Sequence, residues 1–291
     1  MDMLRKVVKF LRPCIIRGYA STFTEDLVKL PSILMVIAPH PDDETFGAGG
    51  LIAEMGAQDS SGGENLSSDR PERKIVHVVF LTSGGAAHAQ CCGIAQTDLA
   101  QRRELAAKRA TLVLGVPEEN LHFLRLQDGK LPHPGMVGFE EIVARLAGLM
   151  NCIQPDTILA PHPFEGWSDH TAAEIIVRGA LTAHGQTFRR SNQVHSEPPT
   201  LMHYCVWLWY TMPFRRAISL DWKNAITVGH PRHARAVGDL ATGLTPQEIK
   251  REAMMVYLED ASPCGKPTCG VLPGELIKAL QWNRELLFRV E

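Results

Sequence analysis

Strand-sized apolar runs alternate with helical patterns up to about residue 185, and this alternation restricts the fold more than any other feature. The run ILMVIAP at residues 33–39 contains no polar residue, which is typical of a strand buried on both faces of a parallel sheet. Similar runs follow at residues 74–81, 121–126 and 156–160. Helical patterns separate them, at about residues 44–55, 97–114 and 136–151. We therefore predict an α/β protein with a Rossmann-like, doubly wound, mostly parallel sheet flanked by helices.

The pattern changes after this alternating part. A polar stretch leads to the aromatic-rich run LMHYCVWLWY at residues 201–210. Its aromatic side chains could stack on the face of a sugar, but their alternating spacing favours a strand with one buried face, which we predict. Two helices are predicted after it, near residues 246–258 and 273–289.

We predict a single α/β domain over residues 31–291. Its Rossmann-like core covers about 31–185, and a smaller C-terminal cap or side layer covers about 186–291. Residues 1–30 form an N-terminal extension with an amphipathic helix, which either packs on the domain or touches a membrane surface.

Charge and composition exclude several classes of protein. Thirty Lys and Arg residues against 32 Asp and Glu residues provide no basic excess for binding nucleic acid. No run reaches about 18 apolar residues, so we predict no transmembrane segment. The seven cysteines include no C-x-x-C pair, which favours free thiols in a reducing compartment and a cytoplasmic protein. Cys91 and Cys92, in a polar loop, have no assigned role, and a homo-oligomer is compatible with the sequence.

The first polar cluster follows the run at 33–39, where a sheet of this kind binds ligands. HPDDE places His40, Asp42, Asp43 and Glu44 directly before a predicted helix. Crowding carboxylates in this way is unfavourable unless a cation relieves the repulsion. The alternative is that Asp42 or Asp43 only caps the helix and that His40 is a strand-end residue.

A second cluster, at the end of the run at 156–160, supports a metal site. Asp169 and His170 again precede a helical pattern. Two imidazoles and one carboxylate at one sheet edge match a catalytic zinc, which needs three protein ligands and an open position. We predict His40, Asp43 and His170 as ligands, Asp42 as general base and Asp169 as the residue that orients His170.

The segment APHPDDETFGAGG at residues 38–50 resembles the signature of the PIG-L / LmbE-like zinc-dependent deacetylases. Further segments resemble other parts of that family: LTSGG at 81–85, FLRLQDGKL at 123–131, WSDH at 167–170 and KREAMMVY at 250–257. The resemblance implies one Zn²⁺, or another divalent metal, per chain. It also implies the same ligands and the same base as the argument from chemistry.

The sequence departs from the family pattern at the position of a helper histidine. Many members have a His three residues before the last zinc ligand, where this chain has Trp167. His162, or the later His230 or His233, could replace it in substrate binding or proton transfer. His162 could equally be a strand-end residue.

Two more positions bear on the substrate. Some members have an Arg in the T-x-G loop where this chain has Ser83. Asp128 occupies the D-G position of the family, where it either accepts a substrate hydroxyl or simply forms a turn.

The resemblance implies a hydrolase that removes an acetyl group from an N-acetylglucosamine-type sugar or its conjugate, a small-molecule substrate. One alternative is an amidase acting on a larger N-acyl conjugate, such as a glycolipid, glycopeptide or nucleoside-linked sugar. Another is a non-catalytic sugar- or nucleotide-binding protein that keeps its metal for structure.

Overall fold

The computed structural model describes a defined part of the chain, namely residues 13–18, 20–22, 25–26, 29–59, 74–88, 93–190, 198–211, 220, 222–229, 243–259 and 272–290. Residues 13–18 and 20–22 are helical, whereas the first half of the predicted N-terminal helix lies outside this part. Cys91, Cys92, His230 and His233 also lie outside it. Among the described helices, none is both long enough and apolar enough to cross a bilayer. The cytoplasmic location and the membrane contact stay predictions.

Eight strands form one sheet within the described residues. The strands are β1 Glu25–Asp26, β2 Ile33–Ala38, β3 Ile75–Thr82, β4 Leu121–Leu126, β5 Thr157–Pro161, β6 Thr200–Tyr204, β7 Ala225–Gly229 and β8 Arg284–Arg289. Their order is β1-β7-β8-β6-β5-β2-β3-β4. Only β8 is antiparallel to its neighbours, β6 and β7. The predicted doubly wound, mostly parallel sheet is confirmed.

Besides the helical residues 13–18 and 20–22, seven α-helices accompany the sheet in the described part of the chain. They are α1 Asp43–Asp59, α2 Gln96–Val113, α3 Phe139–Ile153, α4 Ser168–Arg190, α5 Leu208–Thr211, α6 Pro246–Glu259 and α7 Gly274–Leu280. Helices α3 and α4 share one apolar core with the sheet, and α1, α2 and α6 share the other. Met35 and Ile37 of β2 point into the first core, while Leu34 and Val36 point into the second. This two-sided burial explains why the run at 33–39 has no polar residue.

The C-terminal part differs from its predicted elements. The strand predicted over 201–210 ends at Tyr204, because the next backbone N–H groups turn away from the sheet and donate to the carboxylate of Glu165. The helix predicted over 273–289 is also wrong beyond Leu280, since residues 284–289 form β8 between β6 and β7. Sheet pairing here overrides a local pattern that also suits a helix. This part of the chain therefore extends the sheet.

Helix α1 packs unusually close to the sheet. A Cβ atom on Gly47 would lie 2.2 Å from the ring of Tyr204, whose hydroxyl donates to the carbonyl of Ile37 at 3.0 Å. The GAGG segment of residues 47–50 thus allows close packing inside a helix. The close fit fixes the start of α1, and with it the HPDDE segment, against the end of β2.

Candidate metal centre

The predicted site residues meet at the carboxyl ends of neighbouring strands. His40, Asp42 and Asp43 lie where β2 gives way to α1, and Asp169 and His170 lie in the first turn of α4 after β5. Since β2 and β5 are adjacent and parallel, these two segments emerge side by side. The turn that follows β4 brings Asp128 to the same edge, where it contacts His40.

His40, Asp43 and His170 form a compact group. Asp43 Oδ2 lies 3.2 Å from His40 Nδ1 and 3.3 Å from His170 Nε2. One possible ligand atom from each residue lies within 4.8 Å of the other two. Burial alone would raise the pKa of Asp43, but the two imidazoles outweigh it and hold that pKa well below its usual range. The carboxylate of Asp43 is therefore ionised and ready to bind a cation.

The other ring nitrogen of His40 faces two carboxylates. His40 Nε2 lies 3.1 Å from Asp128 Oδ1 and 3.3 Å from Asp169 Oδ2, and the three residues form a second possible metal group. Asp169 also accepts the backbone N–H groups of Gly129 and Leu131, at 2.8 and 3.2 Å. Burial works against protonation of His40, yet these carboxylates, together with Asp43, raise its pKa well above the ordinary value.

The structure corrects the predicted role of Asp169. We expected it to orient His170, but its carboxylate contacts His40. Successive residues on a helix point about 100° apart, so neighbours at the start of α4 face different partners. The carboxylate beside His170 is that of Glu165, with Oε2 lying 3.2 Å from His170 Nδ1.

Glu165 is a site residue that the sequence did not reveal. It is fully buried, and its two oxygens accept three backbone N–H groups, those of Val206, Trp207 and Leu208, at 2.8 to 3.0 Å. Nothing in the local pattern of PFEG distinguishes this carboxylate from one exposed in a turn. Its role depends on a segment about 40 residues further along the chain.

Asp42 does not cap α1 through its side chain. Its backbone carbonyl accepts the N–H groups of Thr45 and Phe46, whereas its carboxylate Oδ2 accepts a hydrogen bond from Arg103 Nη2 at 3.0 Å. The residue has a positive φ of 130°, a backbone strain that clusters at functional sites. Burial raises the pKa of Asp42 to about 6, and the Arg103 guanidinium opposes that rise. Asp42 thus stays mostly ionised near neutral pH.

Arg103 was not anticipated from the sequence either. It extends from α2 across Gly84, where a Cβ atom would lie 2.3 Å from Arg103 Nε. Gly84 also has a positive φ of 65°, so a side chain there would be strained as well as blocked. The glycine of the LTSGG segment therefore leaves room for the arginine that contacts Asp42.

Glu44 supports the same turn from the protein interior. This fully buried residue accepts a hydrogen bond from Tyr257 Oη at 2.7 Å and another from the backbone N–H of Asp42 at 3.0 Å. Burial raises the pKa of Glu44 to about 7. Tyr257 belongs to α6, so the KREAMMVY segment helps to hold the HPDDE turn in place.

His162 lies apart from both groups. Its ring is enclosed by the rings of Phe164, His203 and Phe288, and its Nδ1 accepts the backbone N–H of Phe164 at 3.1 Å. Burial lowers its pKa to about 3, which keeps the imidazole neutral. These contacts favour the strand-end interpretation of His162.

The donor set fits a divalent metal. His40, Asp43 and His170 supply two imidazole nitrogens and one carboxylate, the ligand types of a catalytic zinc with an open position. Each histidine also has a carboxylate against its other nitrogen, Asp128 and Asp169 for His40 and Glu165 for His170. Such partners are typical of metal-ligating histidines, because they fix the tautomer and the ring orientation.

Fold and donor set together define an α/β protein with a candidate metal centre at the carboxyl edge of its sheet. The family model "PIG-L: GlcNAc-PI de-N-acetylase" matches residues 35–181, about half of the chain. The chain belongs to this family, as the resemblance of its motifs predicted.

Individual relatives agree with this membership. Diacetylchitobiose deacetylase of Thermococcus kodakarensis is 27% identical over 170 residues, which are 57% of this chain and 55% of that protein. The match thus spans about half the length of this curated relative. The structure of N,N'-diacetylchitobiose deacetylase from Pyrococcus horikoshii has a TM-score of 0.54 at 18% identity, covering 91% of this chain and 79% of that one. A deacetylase of the teicoplanin biosynthetic pathway has a TM-score of 0.51 at 14% identity, covering 88% and 96%. The two solved structures show a shared fold.

Proposed function

We propose that this protein is a metal-dependent hydrolase that removes the acetyl group from an N-acetylated amino sugar of the N-acetylglucosamine type, or from its conjugate. The observation that carries the proposal is the group of His40, Asp43 and His170, with the carboxylate of Asp42 in electrostatic contact with His40 and Asp43. Family membership supports it, and so does the likeness to a protein named diacetylchitobiose deacetylase.

The metal is proposed to be zinc, with one ion per chain held by His40, Asp43 and His170. When bound, it would supply Lewis-acid polarisation of the amide carbonyl and activation of a water molecule. Asp128 and Asp169 keep His40 in place, and Glu165 keeps His170 in place. These three carboxylates therefore preserve the donor set between turnovers.

Asp42 is proposed as the general base and then the general acid. Burial raises the pKa of Asp42 while the Arg103 guanidinium opposes that rise, so its carboxylate is ionised at pH 7 and is a stronger base than a solvated aspartate. It takes one proton from the attacking water as the water oxygen bonds to the carbonyl carbon. It gives that proton to the amine nitrogen as the carbon–nitrogen bond breaks, so the products are acetate and a free amine.

Asp128 is proposed to accept a hydrogen bond from a hydroxyl group of the sugar. Its side chain is 12% exposed, and its oxygens already contact His40 Nε2 and the backbone N–H of Ala86. Each carboxylate oxygen can accept a further hydrogen bond. His162 is left out of this role because aromatic rings enclose it.

Two variants test the assignment. The purified protein is expected to contain about one zinc ion per chain and to release acetate from N-acetylglucosamine or a short oligomer of it. Asp42→Asn should keep the metal and lose about 10²- to 10⁴-fold in rate, because it cannot accept the proton. His170→Ala should lose both metal and activity. Full turnover by Asp42→Asn would contradict the proposal.

A larger N-acyl conjugate is a second candidate substrate. Met136 and Val137 are 59% and 101% exposed, and they offer an apolar surface on the same β4–α3 connection that carries Asp128. A panel of N-acyl sugars with increasing acyl length separates the candidates, since preference for long chains would favour the conjugate. If the protein binds metal but releases neither acetate nor a longer acid from any amide, the result would favour a non-catalytic binding protein.

A further inference from the structure

Trp167 exposes a large apolar ring on the loop that leads into α4, the helix that carries the candidate ligand His170. It immediately precedes α4 and stands three residues before His170. Its side chain is 47% exposed. All five tryptophans are described, and the other four are buried or partly buried. By comparison, Trp209 is 5% exposed and belongs to the core. Nearly half of the Trp167 side chain is therefore open to contact by a ligand.

The position of Trp167 is fixed at its backbone and at its ring. Its carbonyl accepts the N–H of Thr171 at 3.1 Å and the hydroxyl of Thr171 at 3.2 Å, which ties it to the first turn of α4. Its ring contacts that of Trp207, with centroids 5.2 Å apart and planes at 58°. Because one side of the indole is supported in this way, the exposed side offers a preformed surface.

One buried carboxylate contacts both the backbone of Trp207 and a candidate metal ligand. Glu165 Oε2 accepts the backbone N–H of Trp207 at 2.8 Å and lies 3.2 Å from His170 Nδ1. The backbone of the supporting Trp207 and the imidazole of His170 therefore share one partner. A ring that stacks on Trp167 would be held at a constant position relative to His170.

We propose, resting on the proposed function, that Trp167 supported by Trp207 is the platform on which the sugar ring bearing the N-acetyl group stacks. The C–H groups on one face of a pyranose carry slight positive charge, and the face of an indole is negative. Asp42 and Asp128 supply carboxylate oxygens at the same edge for the polar side of such a ring. Trp167 would thus determine specificity for cyclic acceptors and take no part in proton transfer.

Tryptophan emission of the full-length, metal-loaded protein tests binding directly. Addition of N-acetylglucosamine should change the emission of the wild-type protein, since its most exposed indole becomes covered. Trp167→Phe should lose this change although its ring can still stack. Phe164→Ala is the matched control, because Phe164 lies on the same loop and is 48% exposed. It should behave as wild type.

Kinetics test specificity. Trp167→Ala should raise KM for N-acetylglucosamine about threefold to tenfold with little change in kcat, as expected for loss of a stacking contact. Its KM for N-acetylethanolamine, an acyclic amide with the same acyl group, should not change. Trp167→Phe should lie between Trp167→Ala and wild type, and Phe164→Ala should match wild type with both substrates.

The outcomes separate this inference from the function on which it rests. Deacetylation by the wild type together with equal effects of Trp167→Ala on the sugar and the acyclic amide would overturn the platform. An emission change that persists in Trp167→Phe would also overturn it. If the wild type releases no acetate from any amide but N-acetylglucosamine still changes Trp167 emission, the proposed function fails and the platform stands.

Discussion

Arg103 Nη2 donates a hydrogen bond to Asp42 Oδ2 across 3.0 Å and another to the carbonyl oxygen of Pro41, the preceding residue. One guanidinium therefore fixes both the carboxylate of the proposed base and the backbone turn that carries it. Arg103 reaches this position from α2, on a different segment of the chain from the candidate ligands. Asp42 is thus positioned by a residue outside the donor set.

Arg103→Met is expected to lower kcat/KM about 10- to 100-fold while the zinc content stays unchanged. Loss of both hydrogen bonds lets the Asp42 carboxylate move, and small displacements of a reacting group have effects of this size. Acetate release and metal analysis of the same preparation measure the two quantities. Arg102→Met, on the adjacent exposed residue, is the control and should behave as wild type. Loss of zinc from Arg103→Met would show instead that Arg103 supports the donor set.

Gly84→Ala should reduce activity in the same way through steric displacement of Arg103. The added methyl group would lie 2.3 Å from Arg103 Nε at a position whose φ is +65°. We expect lower kcat/KM with zinc retained, read out by the same two assays. Gly148→Ala provides the comparison, because no atom lies within 4 Å of its Cβ position and its φ is ordinary for a helix. Unchanged activity of Gly84→Ala would mean that Arg103 can reach Asp42 by another route.

The grouping of His40, Asp43 and His170 at one sheet edge could be predicted because its signals are local. His40 and Asp43 directly follow the apolar run of β2, and His170 follows that of β5. The topology of a parallel sheet then brings both ends together without further information. The family motifs supported the same three residues and the same base, Asp42.

The supporting residues could not be predicted, because their roles depend on tertiary packing. Arg103 contacts a residue 61 positions away, and Glu165 accepts hydrogen bonds from N–H groups 41 to 43 positions away. Neither contact leaves a pattern in its own segment. The prediction for the end of the chain was wrong for a related reason. The segment RELLFR suits a helix locally, but as β8 it pairs with β6 and β7.

Glu165→Gln is expected to weaken zinc binding about 10- to 100-fold, the usual effect of losing a carboxylate behind a ligating histidine. The amide carries no negative charge to stabilise the N–H of His170 Nδ1, and it has one acceptor oxygen for three backbone N–H groups. Competition with a chelator of known affinity measures the change. Glu140→Gln, on an exposed residue of α3, is the matched control. Equal zinc affinity in both variants would show that Glu165 only holds the backbone of residues 206–208 in place.

The protein should become less stable as the pH is lowered, because the unfolded chain takes up a proton at His162. Its pKa is about 3 in the folded protein against an ordinary 6.5, so between these values the unfolded chain takes up a proton that the folded one excludes. The unfolding free energy therefore decreases as the pH drops below about 6.5. The contribution of His162 to this decrease is about 2 kcal/mol between pH 7 and pH 5. Urea unfolding at both pH values measures the loss. His162→Asn, which can still accept the Phe164 N–H, should reduce it, whereas His133→Asn should not.

Lys250→Met should destabilise the fold far more than a comparable change at the surface. Lys250 Nζ lies 2.7 Å from Glu285 Oε1, and both side chains are 2% exposed. Glu285 also accepts the backbone N–H groups of Gly50 and Leu51 in α1, at 2.7 and 2.8 Å. Removing the cation that balances this buried carboxylate should lower the unfolding free energy by about 3–5 kcal/mol.

Urea unfolding at neutral pH checks this prediction. Lys108→Met breaks the pair of Lys108 with Glu118, also 2.7 Å but largely solvated, and should not change the midpoint measurably. Adding Glu285→Gln to Lys250→Met should recover part of the loss, because the buried charge itself is then gone. A Lys250→Met midpoint equal to that of Lys108→Met would contradict the prediction. It would show that the hydrogen bonds donated by α1 to Glu285 stabilise this contact without the lysine.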